Sequence, residues 1–216
     1  MKVLVTGTSG GIGSAIAEMF IGGGHDVIGM DINPPVLEHP NYTHIMHDIC
    51  DEDYPEINGI EVLVNCAGVQ TMTSYDIAVN LTATIALTEF YAFQENIKAV
   101  VNIASSSGLT GSEFPHYAAS KGGIVAYTKN LALRLAKYGA CVNSLCPGGV
   151  ITELNSHILE SKELYEAVLN ESLLHKWSDP AEIAQWVYFL ACINKSMTGE
   201  NLLIDNGEDL KANFIW

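Results

Sequence analysis

The chain opens on an apolar run, Val3-Leu4-Val5-Thr6, that passes directly into Gly7-Thr8-Ser9-Gly10-Gly11-Ile12-Gly13 and then into a helical pattern. A strand that turns into a helix through glycines brings unpaired helix N-terminal amides and bare backbone to one point. That point suits the charge and bulk of a diphosphate. A glycine cluster alone is an ordinary turn; the order strand, glycines, helix is what turns it into a dinucleotide signal. Asp31 then closes the second apolar run, about 20 residues further on, where a carboxylate can accept hydrogen bonds from both hydroxyls of an adenosine ribose. The same carboxylate repels a 2'-phosphate, and the neighbouring Ser9 and Ile32 bring no positive charge, so NAD(H) is expected over NADP(H). The alternative is that Asp31 only caps the turn before Asn33-Pro34.

Short apolar runs continue to alternate with helical patterns along all 216 residues, which predicts a single α/β domain over 1–216 with a doubly wound parallel sheet. Strands are expected at Val3 to Thr6, Val27 to Asp31, Thr43 to His47, Glu61 to Asn65, Ala99 to Ala104, Cys141 to Leu145 and Leu202 to Asp205. Helices are expected at Gly11 to Gly22, Ser74 to Asn96, Tyr117 to Tyr138, Ser156 to Leu173 and Pro180 to Cys192. Pro34, Pro35 and Pro40 argue for an extended loop between the second and third strands. The stretch Asp48 to Ile60 must then cross the sheet, with no room for a long helix.

Composition removes several partners. Ten Lys and Arg stand against 25 Asp and Glu, a formal net charge of -15, and Arg134 is the sole arginine. Nucleic acids and anionic membranes need a basic footprint that this chain lacks. Five cysteines without a CxxC pair, and histidines without metal-ligand spacing, point to a reduced, cytoplasmic protein with no metal site. Neither an export signal nor a membrane span is expected.

Tyr117-Ala118-Ala119-Ser120-Lys121 opens a predicted helix, and residues four apart share a helix face. The Lys121 ammonium can therefore lie near the Tyr117 hydroxyl and favour its ionised form over an isolated phenol's pKa of about 10. A tyrosine tuned in this way can exchange a proton with an alcohol or ketone oxygen. Taken by themselves, the two could also be a buried tyrosine and a solvated lysine.

Together with the glycine spacing, Asn65-Cys66-Ala67-Gly68 after the fourth strand, Cys146-Pro147-Gly148-Gly149-Val150-Ile151-Thr152 and Met197-Thr198-Gly199-Glu200-Asn201, this pair resembles the short-chain dehydrogenase/reductase family along essentially the whole chain. The resemblance implies a Rossmann-type seven-stranded fold and reversible hydride transfer between NAD(H) and a secondary alcohol or ketone. It implies Tyr117 as acid/base, Lys121 as holder of the nicotinamide ribose, and Ser105 as donor to the substrate oxygen. Ser105 is chosen because the family's serine stands three before Gly108; counting back from Tyr117 would land on Ala104, which has no hydroxyl, so a one-residue deletion is inferred. Ser106 and Ser107 are read as turn and capping residues. Asn80 matches the family's proton-relay asparagine, although an Asn within a helix can equally be a local distortion or a satisfied polar group.

Cofactor contacts are implied at Gly7, Ser9, Gly11, Ile12, Gly13, Asp31 and Ile32, and at Asn65, Ala67, Gly68, Tyr117 and Lys121. Pro147, Gly148, Val150 and Thr152 complete them. Asp48 and Ile49 resemble the pair that contacts adenine, and Asp48 could equally cap the following turn. His116 is read as exposed or at the pocket rim, and Trp177, Trp186 and Tyr188 as core or interface aromatics. The stretch from Gly68 to Asn80 is about ten residues shorter than usual for the family, and Cys66 replaces a common asparagine. Specificity is therefore expected to rest on a lid, 153–177, and on the C-terminal tail ending at Trp216. Small neutral ketones, cyclic diols or steroid-like alcohols suit the sparse cations. The alternatives are a 3-oxoacyl thioester reductase and a non-catalytic NAD-binding sensor or scaffold. A homo-oligomer, dimer or tetramer, built on the two long helices is expected by resemblance.

Overall fold

The computed structural model describes residues 1–112 and 114–210. Seven strands, β1 (Lys2–Thr6), β2 (Asp26–Asp31), β3 (Tyr42–Met46), β4 (Val62–Asn65), β5 (Ala99–Ile103), β6 (Cys141–Pro147) and β7 (Asn201–Ile204), form one sheet in the order β3-β2-β1-β4-β5-β6-β7. Every pairing is parallel. This is the doubly wound, Rossmann-type architecture expected from the alternating pattern.

Parallel strands are buried on both faces, so successive side chains feed two cores. Val3 and Val5 face α1 (Gly11–Gly22) and α8 (Pro180–Tyr188), where they meet Ile16, Phe20, Ile183 and Val187. Leu4, Leu63, Val100 and Val142 face the opposite layer, α3 (Thr84–Tyr91) and α5 (Pro115–Leu135), against Leu87, Leu131 and Leu135. The crossing from β3 to β4 carries no helix. Tyr91 Oη donates to Pro55 O at 2.6 Å and Tyr54 Oη to Ile49 O at 2.9 Å, so two phenols hold this extended segment against the sheet.

Four helices differ from their sequence limits. The helix expected from Tyr117 to Tyr138 begins two residues earlier, at Pro115, which fits the first helical turn, and its end tightens to a 3-10 turn over Ala136–Tyr138. The expected helix from Ser74 to Asn96 ends at Tyr91, because Gln94 Nε2 takes the Tyr91 carbonyl at 2.6 Å while its Oε1 accepts from Gly59 N at 3.2 Å. It also begins as a single turn, α2 (Tyr75–Ile77), and widens to a π-helical stretch over Ala78–Ala83 before α3. The expected helix from Ser156 to Leu173 is a 3-10 turn at Glu153–Asn155 followed by α6 (Ser156–Leu159) and α7 (Lys162–Leu169). Ser161 restarts the chain there as an N-cap, its Oγ accepting from Leu164 N at 3.3 Å. The Pro180 helix starts as expected, with an Asp179/Glu182 capping box, and its last turns open into a π-helical stretch at Phe189–Ile193. A short α4 (Ser107–Thr110) follows β5. The C-terminal tail ending at Trp216 lies outside the described residues.

A buried amide relay links the middle of the sheet to both long helices. Asn65 Nδ2 donates to Thr88 Oγ1 and to Asn102 Oδ1, each at 2.8 Å, and Asn102 Nδ2 donates to Thr128 Oγ1 at 2.9 Å. Buried donors cost most when they lose a partner. Asn102→Leu strands one Asn65 N–H and should lower unfolding stability by about 2–3 kcal/mol, read as a shift in urea midpoint at unchanged slope. A shift no larger than that of a surface substitution would show the relay to be energetically idle.

Candidate functional site

A cleft of about 720 Å³ opens over the C-terminal ends of the strands, where the strand order reverses between β1 and β4. Its first wall is the glycine loop. Gly7 has φ +78°, and a Cβ there would stand 2.8 Å from the Ala67 backbone. A Cβ on Gly13 would stand 2.0 Å from Gly7 O, so no larger residue can close this turn. Thr6 Oγ1 accepts from both Cys66 N and Ala67 N at 3.1 Å, which ties the ends of β1 and β4 together under the loop. α1 then begins with its amide end facing the cleft, the first turn of a helix having donors without intrahelical partners. A bare backbone cradle at a helix N-terminus, in a cleft of this volume, fits a dinucleotide.

Asp31 sits at the end of β2, its Oδ2 accepting from Ser9 N at 3.0 Å and its Oδ1 from Asn33 N at 2.9 Å. It lines the cleft together with Ile32. Asp48 and Ile49 line it from the end of β3, and Asp48 Oδ1 also caps its own turn by accepting from Cys50 N at 2.9 Å. Gly7, Ser9, Gly11, Ile12, Gly13, Ala67, Gly68, Pro147, Gly148, Val150 and Thr152 line the cleft as well. Asn65 does not. Its side chain turns inward to the relay described above, because the last residue of a buried parallel strand alternates into the core and not toward the strand end.

Ser105, Tyr117 and Lys121 come together at the other end of the cleft. Ser105 Oγ donates to Ser107 Oγ and accepts from Ser107 N, both at 3.2 Å. The Lys121 Nζ lies 5.7 Å from the centre of the Tyr117 ring and donates to Ile103 O at 2.9 Å. The lysine is buried, and desolvation brings its pKa down to about 8. It is thus neither solvated nor paired with a carboxylate. Cys66 lines the cleft as a neutral thiol, since burial pushes its pKa up to about 12.

Asn80 lies outside the cleft lining, buried in the π-helical stretch. Its Oδ1 accepts from Val69 N at 2.8 Å, and its Nδ2 donates to Val69 O at 2.8 Å and to Ser120 Oγ at 3.1 Å. A Cβ on Gly68 would stand 3.1 Å from Asn80 Oδ1 and 3.4 Å from Lys121 Nζ, so the asparagine and the lysine share one corner. One turn earlier, Asp76 Oδ1 accepts from Thr71 N at 2.6 Å and from Thr71 Oγ1 at 2.8 Å. Two side chains four apart on one helix face therefore pin alternate residues of the shortened loop, and the intervening Gln70 lines the cleft.

The expected lid, 153–177, contributes Glu153, Leu154, His157, Ile158 and Trp177 to the cleft wall, so Trp177, also assigned to core or interface, stands on the cleft side. The sequence reading missed Phe114 and Glu208 in the lining. Nothing local marks these two, since each reaches the cleft only through tertiary packing. His116 is half-buried and does not line the cleft, and its Nδ1 has no hydrogen-bond partner. Among the described residues no cluster of metal-ligating side chains occurs, and no helix is long and apolar enough to cross a membrane.

Comparison with known proteins agrees with this geometry. A family model described as enoyl-(acyl carrier protein) reductase matches residues 46–208. The short chain dehydrogenase adrF of Penicillium roqueforti is 31% identical, with 94% of this chain and 95% of that protein aligned. The 3-oxoacyl-[acyl-carrier-protein] reductase FabG of Aquifex aeolicus is 29% identical over 95% of this chain and 86% of its own. Among solved structures, a 4-hydroxyisoleucine dehydrogenase mutant complexed with NADH and succinate superposes with a TM-score of 0.87 at 26% identity, covering 99% of this chain and 100% of that one. A putative 2-deoxy-D-gluconate 3-dehydrogenase from Agrobacterium tumefaciens with bound NADP gives 0.88 at 26%, covering 97% and 96%. With the seven-stranded sheet, the glycine cradle and the Ser105, Tyr117 and Lys121 corner in one cleft, the chain belongs to the short-chain dehydrogenase/reductase family of oxidoreductases.

Proposed function

We propose that the protein is an NAD(H)-dependent dehydrogenase that interconverts a secondary alcohol and its ketone. The observation that carries this reading is Tyr117 lying beside the buried Lys121 in the same cleft as the glycine cradle. The cradle and the N-terminus of α1 would hold the diphosphate, Asp31 the adenosine ribose, and Lys121 the nicotinamide ribose. When bound, the nicotinamide supplies a hydride acceptor or donor. Every other step belongs to the chain.

Tyr117 Oη takes the alcohol proton or returns it to the ketone oxygen, and Ser105 Oγ steadies the same oxygen as charge develops. The charged Lys121 favours the tyrosinate. Asn80, which holds Val69 on both sides, fixes the Gly68 corner against Lys121 and forms the inner end of the route by which the proton leaves. NAD(H) is preferred because Asp31 would meet a 2'-phosphate and Lys121, at the far end, is the one Lys or Arg in the cleft lining among the described residues. Homo-oligomer formation on α3 and α5 belongs to the same proposal, and Phe90 and Leu133 on those helices are exposed.

A second reading, reduction of a 3-oxoacyl thioester, is favoured by the likeness to FabG. The same scarcity of lining cations leaves an acidic carrier protein or a coenzyme A phosphate little to hold, so it ranks below the neutral alcohol. A sensor role ranks lower still, because Ser105, Tyr117 and Lys121 keep competent chemistry in one cleft.

Tyr117→Phe should lower kcat about 10²–10⁴-fold while the NADH dissociation constant, read by nicotinamide fluorescence, stays within roughly threefold. Near wild-type turnover would refute the acid/base assignment. Asp31→Ala should shift the ratio of NAD to NADP affinity toward NADP by about tenfold or more; an unchanged ratio would place ribose recognition elsewhere. The depressed Lys121 pKa also predicts a stability trend. Above about pH 8 the folded lysine is neutral while the unfolded one, at 10.5, stays protonated, so its contribution to stability rises with pH from about 8 to 10.5. The urea midpoint of wild type relative to Lys121→Met should therefore improve between pH 7 and pH 10, and parallel curves would contradict the buried charge.

A further inference from the structure

Two consecutive glycines stand at the end of β6, and each is covered by a side chain from a different part of the chain. A Cβ on Gly148 would stand 2.9 Å from Glu208 Oε2, and one on Gly149 would stand 2.2 Å from Trp177 Nε1. The carboxylate and the indole thus lie directly on bare backbone, and all four residues line the cleft. β6 runs beside β5, and Ser106 N donates to Pro147 O at 2.8 Å, so the glycine floor begins one residue beyond the β6 residue bonded to the turn that carries Ser105.

The corner is held from several sides. Asp205 brackets Glu208 by accepting from Gly207 N at 2.9 Å and from Asp209 N at 2.8 Å. Asn206 Nδ2 donates to Ser178 Oγ at 3.0 Å, Leu174 N donates to Asn206 O at 3.1 Å, and Ser178 N donates to Gly149 O at 2.9 Å. The turn that carries Glu208 and the segment that carries Trp177 are therefore bonded to each other and to the glycine floor. Groups fixed in this way can read a ligand without first being ordered.

Resting on the alcohol reading above, we infer that Glu208 and Trp177 form the substrate-recognising corner, and that the substrate is a secondary alcohol bearing a second hydrogen-bond donor, hydroxyl or ammonium, near the reacting carbon. A glutamate carboxylate accepts hydrogen bonds and donates none, and its bonds to a hydroxyl or ammonium are charge-assisted. The indole offers a flat apolar face to the C–H side of the same molecule, or to the ammonium itself. The remaining charges agree. Among the described residues Asp31, Asp48, Glu153 and Glu208 line the cleft with Lys121 as the one lysine or arginine, so a carboxylate substituent would meet more acidic than basic side chains there.

A matched set on one ring tests the inference with NAD+ as oxidant: cyclohexanol, trans-cyclohexane-1,2-diol, trans-2-aminocyclohexanol and 2-hydroxycyclohexanecarboxylate. The diol or the amino alcohol should exceed cyclohexanol in kcat/KM by about tenfold or more, with the carboxylate last, and the better of the two identifies the donor as hydroxyl or ammonium. Glu208→Ala should erase that advantage while the NADH dissociation constant moves by no more than about twofold. Glu208→Gln should keep more of a diol advantage than of an amino alcohol advantage. Cyclohexanol or the carboxylate turned over best, or a ranking untouched by Glu208→Ala, overturns this inference and leaves the dehydrogenase reading standing. No turnover of any ring by a protein that binds NADH overturns both.

Discussion

The carbonyl oxygen of Gly7 occupies the place where a Cβ at position 13 would have to be. That contact lets α1 leave β1 at once and lie along the sheet, and everything around the cleft inherits its position. Gly7 N donates to Met30 O at 2.8 Å, which brings the end of β2 and Asp31 alongside the loop. Thr6 Oγ1 brings β4 to the other side through Cys66 N and Ala67 N. The crevice between β1 and β4 thus presents the bare backbone of Gly7, Gly10, Gly11 and Gly13, and bare backbone is what a diphosphate needs to approach.

The opposite end of the cleft is organised by buried polar groups. Lys121 reaches the carbonyl of Ile103, two residues before Ser105, so the lysine and the serine are referenced to the same strand. Asn80 holds Val69 by both its N–H and its C=O, which sets Gly68 between the asparagine and the lysine. The π-helical stretch around Asn80 adds a residue to the turn where this side chain is bonded to the Val69 loop and to Ser120 of α5. Lys121 is buried without a carboxylate, which makes its charge expensive and its proton labile near neutral pH. The same burial that sets its Nζ beside the Tyr117 ring destabilises its ionised form.

Much of this was legible because it is local. Gly7, Gly13 and Asp31 sit at fixed offsets from strand ends, and Tyr117 and Lys121 share a helix face by spacing alone. Alternation of apolar runs and helical patterns was enough for the sheet and its two layers, and the prolines after Asp31 correctly left β2 and β3 joined by a loop. Helix limits were less legible. Gln94 stops one helix by bonding to Gly59, a residue 35 positions away, and Ser161 divides another through its own cap. Asn65 reads like a strand-end ligand, yet its amide is spent inside on Thr88 and Asn102.

The sequence by itself determined the glycine turn, the carboxylate at the end of β2, the Tyr117 and Lys121 spacing and the parallel α/β class, because each depends on neighbours within a turn or a strand. Tertiary structure alone decided that the loop pinned at Val69 and Thr71 lines the cleft, that Trp177 covers Gly149 there, and that Glu208 comes to rest on Gly148. Those placements depend on contacts between separate segments, Val69 with Asn80, Gly149 with Trp177 and Gly148 with Glu208, and no periodicity along the chain records which backbone a side chain will cover.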